Sequence, residues 1–574
     1  MNIATLIDSL HLATKQQPDQ IAFRFLNFNK KPNDELTYIQ LWQQTENIAS
    51  NLQGLIKPGE RVLILFEPGL SIIPSILACF YIGAIAIPAY PPRPQQLKQG
   101  LNRLQSLIDN ADPSYILCSN LVAKILKAEN TAAILHNLLR FNARNKIARL
   151  KFSQYPLLIA DSFVKHKKSG LKLHSGQPIA FLQYSSGSTG NPKGVITTHK
   201  NLLSACRLMQ AVFRSSRNSH MVSWLPITHN LGLVASILQT LYSHSSATLF
   251  SPLDFVANPT RWLESIHKYQ GNASGGPQFA YDYCTNKINA NEIDHLNLSC
   301  WKYAGVGGER VIAERLEKFA NKFTIAQFNQ KSFIIGYGLS ETTVGLCSEF
   351  NTNGLQTKSF QSADHEISTV VSCGEPLPEH EAIVVDPVTK LAVSDGKVGE
   401  VWCKGPCISE GYWRNQAATE ETFKAYTQQG QGPYMRTGDL GFKDNQSLYI
   451  VGRLKELIII HGKNFIPNDI EKTIEKLHPK IRSSGCIAFS YIDDGVEMLG
   501  IACELIKEKI NKPILIKSIT ESVRHEFGIY VNSLILLKAG ELPRTANNKL
   551  QRLQCKKNFL NKEYKVDYRK VFEN

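Results

Sequence analysis

The first half of the chain alternates short, β-branched apolar runs with longer stretches of helical periodicity. Strands that alternate with helices form mostly parallel sheets covered by helices on both faces. We therefore predict an α/β fold, with mostly parallel sheets, for a large N-terminal domain. The predicted strands are residues 61–66 (RVLILF), 114–118 (SYILC), 156–159 and 179–184, and the predicted helices are residues 38–55 and 101–110.

Two later segments differ from this pattern. Residues 370–413 contain short strands separated by Pro and Gly turns, which predicts a β-rich subdomain over about residues 370–450. After a strand near Leu448 and a helix from about Pro467 to Leu477, the chain is typical of a small α+β unit. We place the domain boundary at Lys455. This gives an N-terminal domain of residues 1–454 and a small, mobile α+β C-terminal domain of residues 455–574.

The most apolar stretch, residues 70–90, is long enough to be mistaken for a membrane span. Pro74, Gly83 and Pro88 interrupt it, which favours a core helix followed by a buried strand over a transmembrane segment. The 12 cysteines are scattered without a Cys-x-x-Cys pair, and no signal peptide is evident at the N-terminus. These features predict reduced thiols and a cytoplasmic protein.

The net charge of +15 arises from 64 Lys and Arg residues against 49 Asp and Glu residues. Such a surplus is compatible with nucleic acid, an anionic membrane surface, or an acidic substrate or partner. The basic residues form small clusters and no nucleic-acid-binding motif accompanies them, so we expect no nucleic-acid partner. Most of these side chains are expected to be solvated surface.

The segment from Tyr184 to Gly194 (YSSGSTGNPKG) is the most informative for chemistry. Glycines let backbone N–H groups approach an anion, hydroxyls add donors, and a lysine adds positive charge. The pattern differs from a Walker P-loop, because Lys193 neither follows Gly nor precedes Ser or Thr. An ordinary turn is the competing interpretation. The predicted phosphate-binding residues are Ser185, Ser186, Gly187, Ser188, Thr189, Gly190 and Lys193.

Three further segments carry candidate ligand-binding side chains. Tyr337, which can stack on a base, stands four residues before Glu341, a carboxylate that can hold Mg²⁺. Asp439 lies on a predicted tight turn, suited to two vicinal ribose hydroxyls, and Lys549 lies in a basic tail. Each of them alone is an ordinary strand end, turn or solvated lysine. Their occurrence together and in this order favours a functional site.

In combination these segments resemble the adenylate-forming (acyl-activating) superfamily, and within it they are most similar to fatty acyl-AMP ligases. The resemblance covers nearly the whole chain. It is also carried by residues 89–94 (AYPPRP), 223–226 (SWLP), 274–282 (SGGPQFAYD) and 457–464 (LIIIHGKN). The family activates a fatty acid with ATP and Mg²⁺ to form acyl-AMP and pyrophosphate. It then passes the acyl group to the phosphopantetheine arm of an acyl carrier protein.

The resemblance implies a role for each matching position. Lys549 would bridge the substrate carboxylate and the phosphate oxygens, His229 would face that carboxylate, and Glu341 would hold Mg²⁺. Lys455 would be the hinge about which the C-terminal domain rotates between the two steps. The nucleotide site would also include Gly307, Gly308, Glu309, Tyr337, Gly338, Ser340, Asp439 and Arg453, and the acyl site Ser274, Gly275, Gly276 and Phe279.

The sequence departs from the family at two positions. Asn230 stands where Asp usually follows the His, and Asn548 stands where Gly usually precedes the catalytic Lys. Asn tolerates left-handed backbone angles, so Asn548 can keep the shape of that loop. The family also carries an insertion after the segment containing Glu341. Here the polar stretch of residues 348–368 is either that insertion in a shortened form or a plain surface loop.

Three functions remain open at this point. The first is a fatty acyl-AMP ligase that serves an acyl carrier protein, and the second is a fatty acyl-CoA ligase. The third, motivated by Asn230 and Asn548, is an inactive nucleotide-binding relative that acts as an interaction partner.

Overall fold

The computed structural model describes residues 3–28, 32–92, 97–128, 154–164, 176–185, 192–350, 354–362, 365–460, 463–493, 496–506, 510–545 and 549–569. These residues form a large N-terminal α/β domain and a C-terminal domain of strands and helices. The predicted fold class is confirmed. Within the described residues, no helix combines the length and the apolar character needed to cross a membrane.

Two mixed, mostly parallel sheets organise the N-terminal domain. The six-stranded sheet is parallel except for its last strand, which runs antiparallel to its neighbour. The six-stranded sheet has the order Leu157–Ile159, Tyr115–Cys118, Arg61–Leu65, Ile85–Ala89, Ile179–Ser185, Lys193–Thr198. The nine-stranded sheet has the order Glu375–Pro376, Cys347–Phe350, Phe333–Tyr337, Tyr303–Gly307, Ala273–Gly276, His220–Ser223, Ser246–Leu249, Ile21–Phe25, Asp34–Thr37.

The core helices of this domain are amphipathic or fully buried. The helix Ile72–Ile82 is buried along its whole length, which confirms that the apolar stretch belongs to the core. Other helices of this domain are Leu6–Gln16, Tyr38–Leu52, Leu97–Ala111, His199–Val212, Thr260–Tyr269, Gln278–Lys287, Ala313–Phe323 and Gln416–Phe423, and residues 120–128 are also helical. A π-helix, Leu231–Leu238, continues into the short helix Gln239–Ser243, and another short helix is Pro252–Ala257.

A four-stranded antiparallel sheet forms the predicted β-rich subdomain. Its strands are Glu381–Val385, Gly399–Lys404, Met435–Asp444 and Ser447–Arg453. Within the polar stretch of residues 348–368, the hairpin Thr357–Ser362 and His365–Val371 packs Phe360 on this subdomain, 5.8 Å from the ring of Phe442. The plain-loop interpretation of that stretch is therefore wrong.

Lys455 lies in the short 3₁₀ turn Leu454–Glu456, and the strands and helices of the C-terminal domain follow this turn. A long hairpin, Ile481–Asp493 and Val496–Leu505, pairs with the strands Val531–Lys538 and Tyr568–Arg569. Helices Pro467–Leu477, Lys512–Phe527 and Arg552–Leu560 cover this sheet, and a small hairpin, Ile458–Ile460 and Lys463–Phe465, precedes them. The apolar faces of the first two helices and of the sheet share one buried cluster.

Two arginines of the N-terminal domain contact the C-terminal domain. Arg310 forms an ion pair with Asp469 at 2.8 Å. Arg315 lies 2.9 Å from Glu475 and 3.0 Å from Ser484 Oγ, and it also pairs with Asp282 of its own domain at 3.0 Å. These contacts join the two domains in this structure.

Candidate active site

One cavity of about 2620 Å³ lies between the two domains and is lined by residues of both. The structure brings most of the side chains predicted from the sequence to its wall. Residues 186–190, and with them Ser186, Gly187, Ser188, Thr189 and Gly190, lie outside the described residues, as does Asn548. The predicted residues that line the cavity are Lys193, His229, Ser274, Gly275, Gly276, Phe279, Gly307, Gly308, Glu309, Tyr337, Gly338, Ser340, Glu341, Asp439, Arg453, Lys455 and Lys549.

The two flanks of the predicted phosphate loop form an antiparallel hairpin, in which Ser185 pairs with Lys193. The Lys193 amine lies over the ring of Tyr412, 4.5 Å from its centroid, a cation–π contact. The Tyr412 hydroxyl donates a 2.8 Å hydrogen bond to Glu341 Oε1. Tyr412 thereby holds the cation and the carboxylate on one side of the cavity.

Tyr412 was missed by the sequence analysis. It follows Gly411 at the end of the β-rich stretch, far along the chain from both Lys193 and Glu341. An aromatic residue after a glycine is a common pattern, so no local signal distinguishes it from core.

A second cluster joins Tyr337, Asp439 and Arg453. The Tyr337 hydroxyl donates to Asp439 Oδ2 at 2.8 Å, and Arg453 Nε lies 3.0 Å from Asp439 Oδ1. Asp439 and Arg453 face each other in the antiparallel pair of strands Met435–Asp444 and Ser447–Arg453. Burial raises the pKa of Asp439, and the Arg453 cation opposes that effect. The strand register therefore places a buried carboxylate and a cation at one point of the cavity wall.

Lys549 enters the cavity from the C-terminal domain. Its Nζ lies 3.3 Å from the position that a Cβ atom at Gly308 would occupy, and Gly308 has a left-handed φ of +81°. A side chain at this position would be strained and would crowd the amine. Burial lowers the pKa of Lys549, and the carboxylates of Glu309 and Asp439 oppose that effect.

Glu309 is oriented by the backbone of the predicted acyl segment. The Phe279 N–H donates to Glu309 Oε1 at 2.7 Å, at the start of the helix Gln278–Lys287. Burial raises the pKa of Glu309, while this hydrogen bond and the Lys549 cation favour its charged form. The contact joins the segments of residues 274–282 and 307–309 into one wall.

His229 is held as a neutral imidazole. Its Nδ1 accepts a hydrogen bond from the Leu231 N–H at 3.3 Å, which leaves the proton on Nε2. Burial, aided by the Lys549 cation, lowers the pKa of His229 to about 3. The π-helix that follows packs closely on the preceding turn, because a Cβ at Gly232 would lie 2.0 Å from the Pro226 carbonyl oxygen. Only glycine fits there, and the same Pro226 oxygen accepts a 3.0 Å hydrogen bond from the His229 N–H.

Asn230 is buried, and its amide works as a donor. Its Nδ2 donates to the backbone oxygen of Thr343 at 2.6 Å and is 3.4 Å from that of Ser340. Its Oδ1 has no hydrogen-bond partner among the residues that the structure describes. Asn230 therefore ties the turn after His229 to the segment that carries Glu341.

The predicted acyl residues lie on the strand Ala273–Gly276 and on the first turn of the helix that follows. The Ser274 hydroxyl is already engaged, since it donates to the Val222 oxygen at 2.5 Å and accepts from Trp262 Nε1 at 2.8 Å. Beyond this strand the cavity wall becomes apolar. The apolar side chains there, which the sequence analysis missed because they are scattered over separate elements, are Met209, Val212, Phe213, Met221 and Ile334.

A family model described as AMP-binding enzyme matches residues 10–413, and a Disco-interacting protein 2-like AMP domain model matches residues 455–569. The chain belongs to the family of AMP-binding enzymes and is an adenylate-forming ligase. The resemblance stated from the sequence is thus confirmed.

Relatives and solved structures cover almost the full length of the chain. The medium-chain-fatty-acid–[acyl-carrier-protein] ligase JamA of Moorena producens is 34% identical over 97% of this chain and 95% of its own. A fatty acid AMP ligase from Legionella pneumophila has a TM-score of 0.72 and 32% identity, covering 98% of this chain and 97% of its own. A L. pneumophila fatty acyl-adenylate ligase in complex with acyl adenylate and pyrophosphate has a TM-score of 0.70 and 31% identity, covering 97% and 96%.

Proposed function

We propose that this enzyme activates a fatty acid with ATP and transfers the acyl group to the phosphopantetheine thiol of an acyl carrier protein. The observation that carries the proposal is the position of Lys549, a residue of the C-terminal domain whose amine lies beside Gly308 in the cavity that both domains line. The activities named for JamA and for the L. pneumophila ligases support the substrate and the acceptor.

In the first step a carboxylate oxygen attacks the α-phosphorus of ATP, and the bond to the departing pyrophosphate breaks. Positioning and neutralisation of charge suffice for such a transfer, without an enzyme nucleophile. Lys549 bridges the incoming carboxylate and the α-phosphate oxygens. His229, which remains neutral, donates from Nε2 to the substrate carboxylate and adds no competing charge.

The nucleotide is held by residues of the N-terminal domain. The loop from Ser185 to Lys193 binds the β- and γ-phosphates through backbone N–H groups, hydroxyls and the lysine. Asp439 accepts from the ribose hydroxyls, and Arg453 keeps it charged. The residues that enclose the adenine and its approach are Gly307, Gly308, Glu309, Tyr337, Gly338 and Ser340.

Mg²⁺ fits the donor set at Glu341. Among the described residues there is no cluster of three or more metal-binding side chains, while Glu341 faces the cavity as a single carboxylate. Mg²⁺ is usually held by one or two carboxylates together with substrate phosphates. Glu341 would hold the ion, which neutralises phosphate charge when bound, and the Tyr412 hydroxyl orients the carboxylate.

The acyl chain lies along Ser274, Gly275, Gly276 and Phe279 and continues into the apolar wall formed by Met209, Val212, Phe213, Met221 and Ile334. Burial of each methylene in such a wall contributes about 0.8 kcal/mol, so the wall favours an alkyl chain over a polar acid.

In the second step the carrier-protein thiol attacks the acyl carbonyl and AMP leaves. We propose that residues 455–574 rotate about Lys455 to present a different face to the acyl-AMP, which makes residues 1–454 and 455–574 the functional domains. We also propose the cytoplasm as the compartment, because all 12 cysteines are unbridged. The surplus of positive charge suits an acidic carrier protein.

Purified protein with ATP, Mg²⁺ and a panel of short, medium and long fatty acids tests the proposal. Fatty-acid-dependent exchange of pyrophosphate into ATP is expected, followed by acyl transfer to holo acyl carrier protein seen by mass spectrometry. Transfer to CoA in place of the carrier protein would make the chain an acyl-CoA ligase. Absence of exchange with every acid would make it an inactive nucleotide-binding relative.

A further inference from the structure

Arg103 lies on the cavity-facing side of the helix Leu97–Ala111. Six described residues of this helix line the cavity: Gly100, Asn102, Arg103, Leu104, Ser106 and Leu107. Leu104 and Leu107 are also buried in the core, whereas Arg103 is exposed. None of the predicted site residues belongs to this helix. Arg103 is therefore a cation in the cavity that the reaction described above does not use.

The helix is docked on the hairpin that flanks the predicted phosphate loop. The Tyr184 hydroxyl, one residue before the loop begins, donates to Asn110 Oδ1 at 2.6 Å. The helix also contacts the strand Lys193–Thr198, which leaves the loop on its other side. Tyr184, Pro192 and Lys193 line the same cavity as Arg103. Both flanks of the loop are thus held against the helix that carries Arg103.

Arg103 has no carboxylate counter-ion within the part of the chain that the structure describes. Burial lowers the pKa of Arg103, and the neighbouring Tyr90 opposes this effect. Two other arginines near Tyr184 differ, since Arg61 and Arg414 both pair with Asp112, at 3.7 and 3.0 Å. Neither of those two lines the cavity.

The side chain of Arg103 is accessible from the cavity, yet the surrounding protein displaces enough water to lower the pKa of the guanidinium. An incompletely hydrated cation without a protein partner favours an anion brought by a ligand. Arginine is suited to phosphate in particular, because its planar N–H groups bind two oxygens at once.

We propose that Arg103 binds the β- and γ-phosphates of ATP and the pyrophosphate that leaves, an inference that rests on the proposed adenylation. The α-phosphate, ribose and adenine have other partners in Lys549, Asp439 and Tyr337, whereas Arg103 faces the cavity on the helix that holds the phosphate loop. Its charge stabilises the pyrophosphate as the bond to the α-phosphorus breaks. It therefore acts in the first step and has no part in transfer from a finished acyl-AMP.

The test compares Arg103→Gln and Arg103→Lys with Arg414→Gln, a matched control that removes a guanidinium near the same tyrosine but outside the cavity. Calorimetry measures binding of pyrophosphate, of a non-hydrolysable ATP analogue and of AMP. We expect Arg103→Gln to weaken pyrophosphate and the analogue about tenfold, the effect of one lost charged hydrogen bond, and to leave AMP unchanged. Arg103→Lys should retain part of the affinity, and Arg414→Gln should match the wild type.

Transfer from chemically prepared acyl-AMP to holo acyl carrier protein should be unaffected in Arg103→Gln, while pyrophosphate exchange falls. Unchanged affinity of Arg103→Gln for pyrophosphate would overturn the proposal, and so would an equal loss for AMP, which would mark a structural role. If the wild type shows no exchange with any acid but Arg103→Gln still loses pyrophosphate selectively, the proposed fatty-acid activation fails and the phosphate site stands.

Discussion

The amine of Lys549 lies beside Gly308, 3.3 Å from where a Cβ atom of that residue would be. The two residues belong to different domains and are far apart in the chain, yet they meet in one cavity. This arrangement is the one required for a lysine that acts on a nucleotide held by the N-terminal domain. It makes the charge of Lys549 the first quantity to test.

Replacement of Lys549 by Ala should lower the rate of pyrophosphate exchange by about 100- to 1000-fold, the usual effect of removing one group that stabilises transition-state charge. The melting temperature should stay near that of the wild type, because Lys549 forms no ion pair within 4.0 Å among the described residues. Lys517→Ala, on an exposed helix of the same domain, is the matched control. Near-normal exchange by Lys549→Ala would refute the role.

The pH profile should report Lys549 directly. Burial lowers its pKa from the ordinary lysine value, so the amine loses its proton, and the enzyme its cation, at a lower pH than a solvated lysine would. We expect kcat/KM for ATP to fall on the alkaline side as pH rises through that lowered pKa. Lys549→Arg should move the fall to higher pH, since arginine stays protonated. If the alkaline fall in kcat/KM is the same in Lys549→Arg as in the wild type, another group causes that fall.

Asp439→Asn should raise the KM for ATP at least about tenfold, through loss of charged hydrogen bonds to the ribose. Tyr337→Phe tests the neighbouring hydrogen bond. It keeps the Asp439 carboxylate but removes the tyrosine hydroxyl that donates to it at 2.8 Å, so we expect a free energy of unfolding lower by about 1–3 kcal/mol in urea titrations. A similar KM for ATP in Asp439→Asn and the wild type would show that Asp439 does not bind the ribose.

Asn230→Asp should destabilise this protein, although the family usually has Asp at the position. The Nδ2 donor to the Thr343 oxygen would become an acceptor, which leaves a buried carboxylate against a carbonyl. Burial would raise the pKa of the new Asp in the folded protein above its pKa in the unfolded chain. The variant should therefore lose stability as the pH rises above the pKa of the unfolded chain, and the loss should shrink in acid. Melting temperatures at about pH 5 and about pH 8 measure this, and an equal loss at both contradicts it.

Lys455→Pro should separate the two half-reactions. Proline fixes φ and restricts the preceding residue, so the turn Leu454–Glu456 could not absorb the rotation. We expect acyl-AMP formation to persist and transfer to the carrier protein to fall at least about tenfold, with Lys455→Ala close to the wild type. Unimpaired transfer by Lys455→Pro would place the hinge elsewhere.

Local patterns were sufficient to predict much of the fold. The helix Pro467–Leu477 has the predicted bounds, and the strand Arg61–Leu65 ends one residue before the prediction, because apolar periodicity and caps act within a few residues. Contacts between distant segments were not predictable. The hydrogen bonds of Tyr412 to Glu341 and of the Phe279 N–H to Glu309 depend on how sheets and domains pack, for which one sequence carries no short-range signal.

Arg315 has an ion-pair partner in each of the two domains. When the C-terminal domain turns away in the proposed rotation, Glu475 departs, but Arg315 keeps Asp282, which stays in its own domain. Glu475 in turn keeps the N–H of Gly485, 3.2 Å from its Oε1. After the separation Arg315 still has a carboxylate partner and Glu475 still accepts a backbone hydrogen bond, so this contact can break without leaving either side chain entirely without a polar partner.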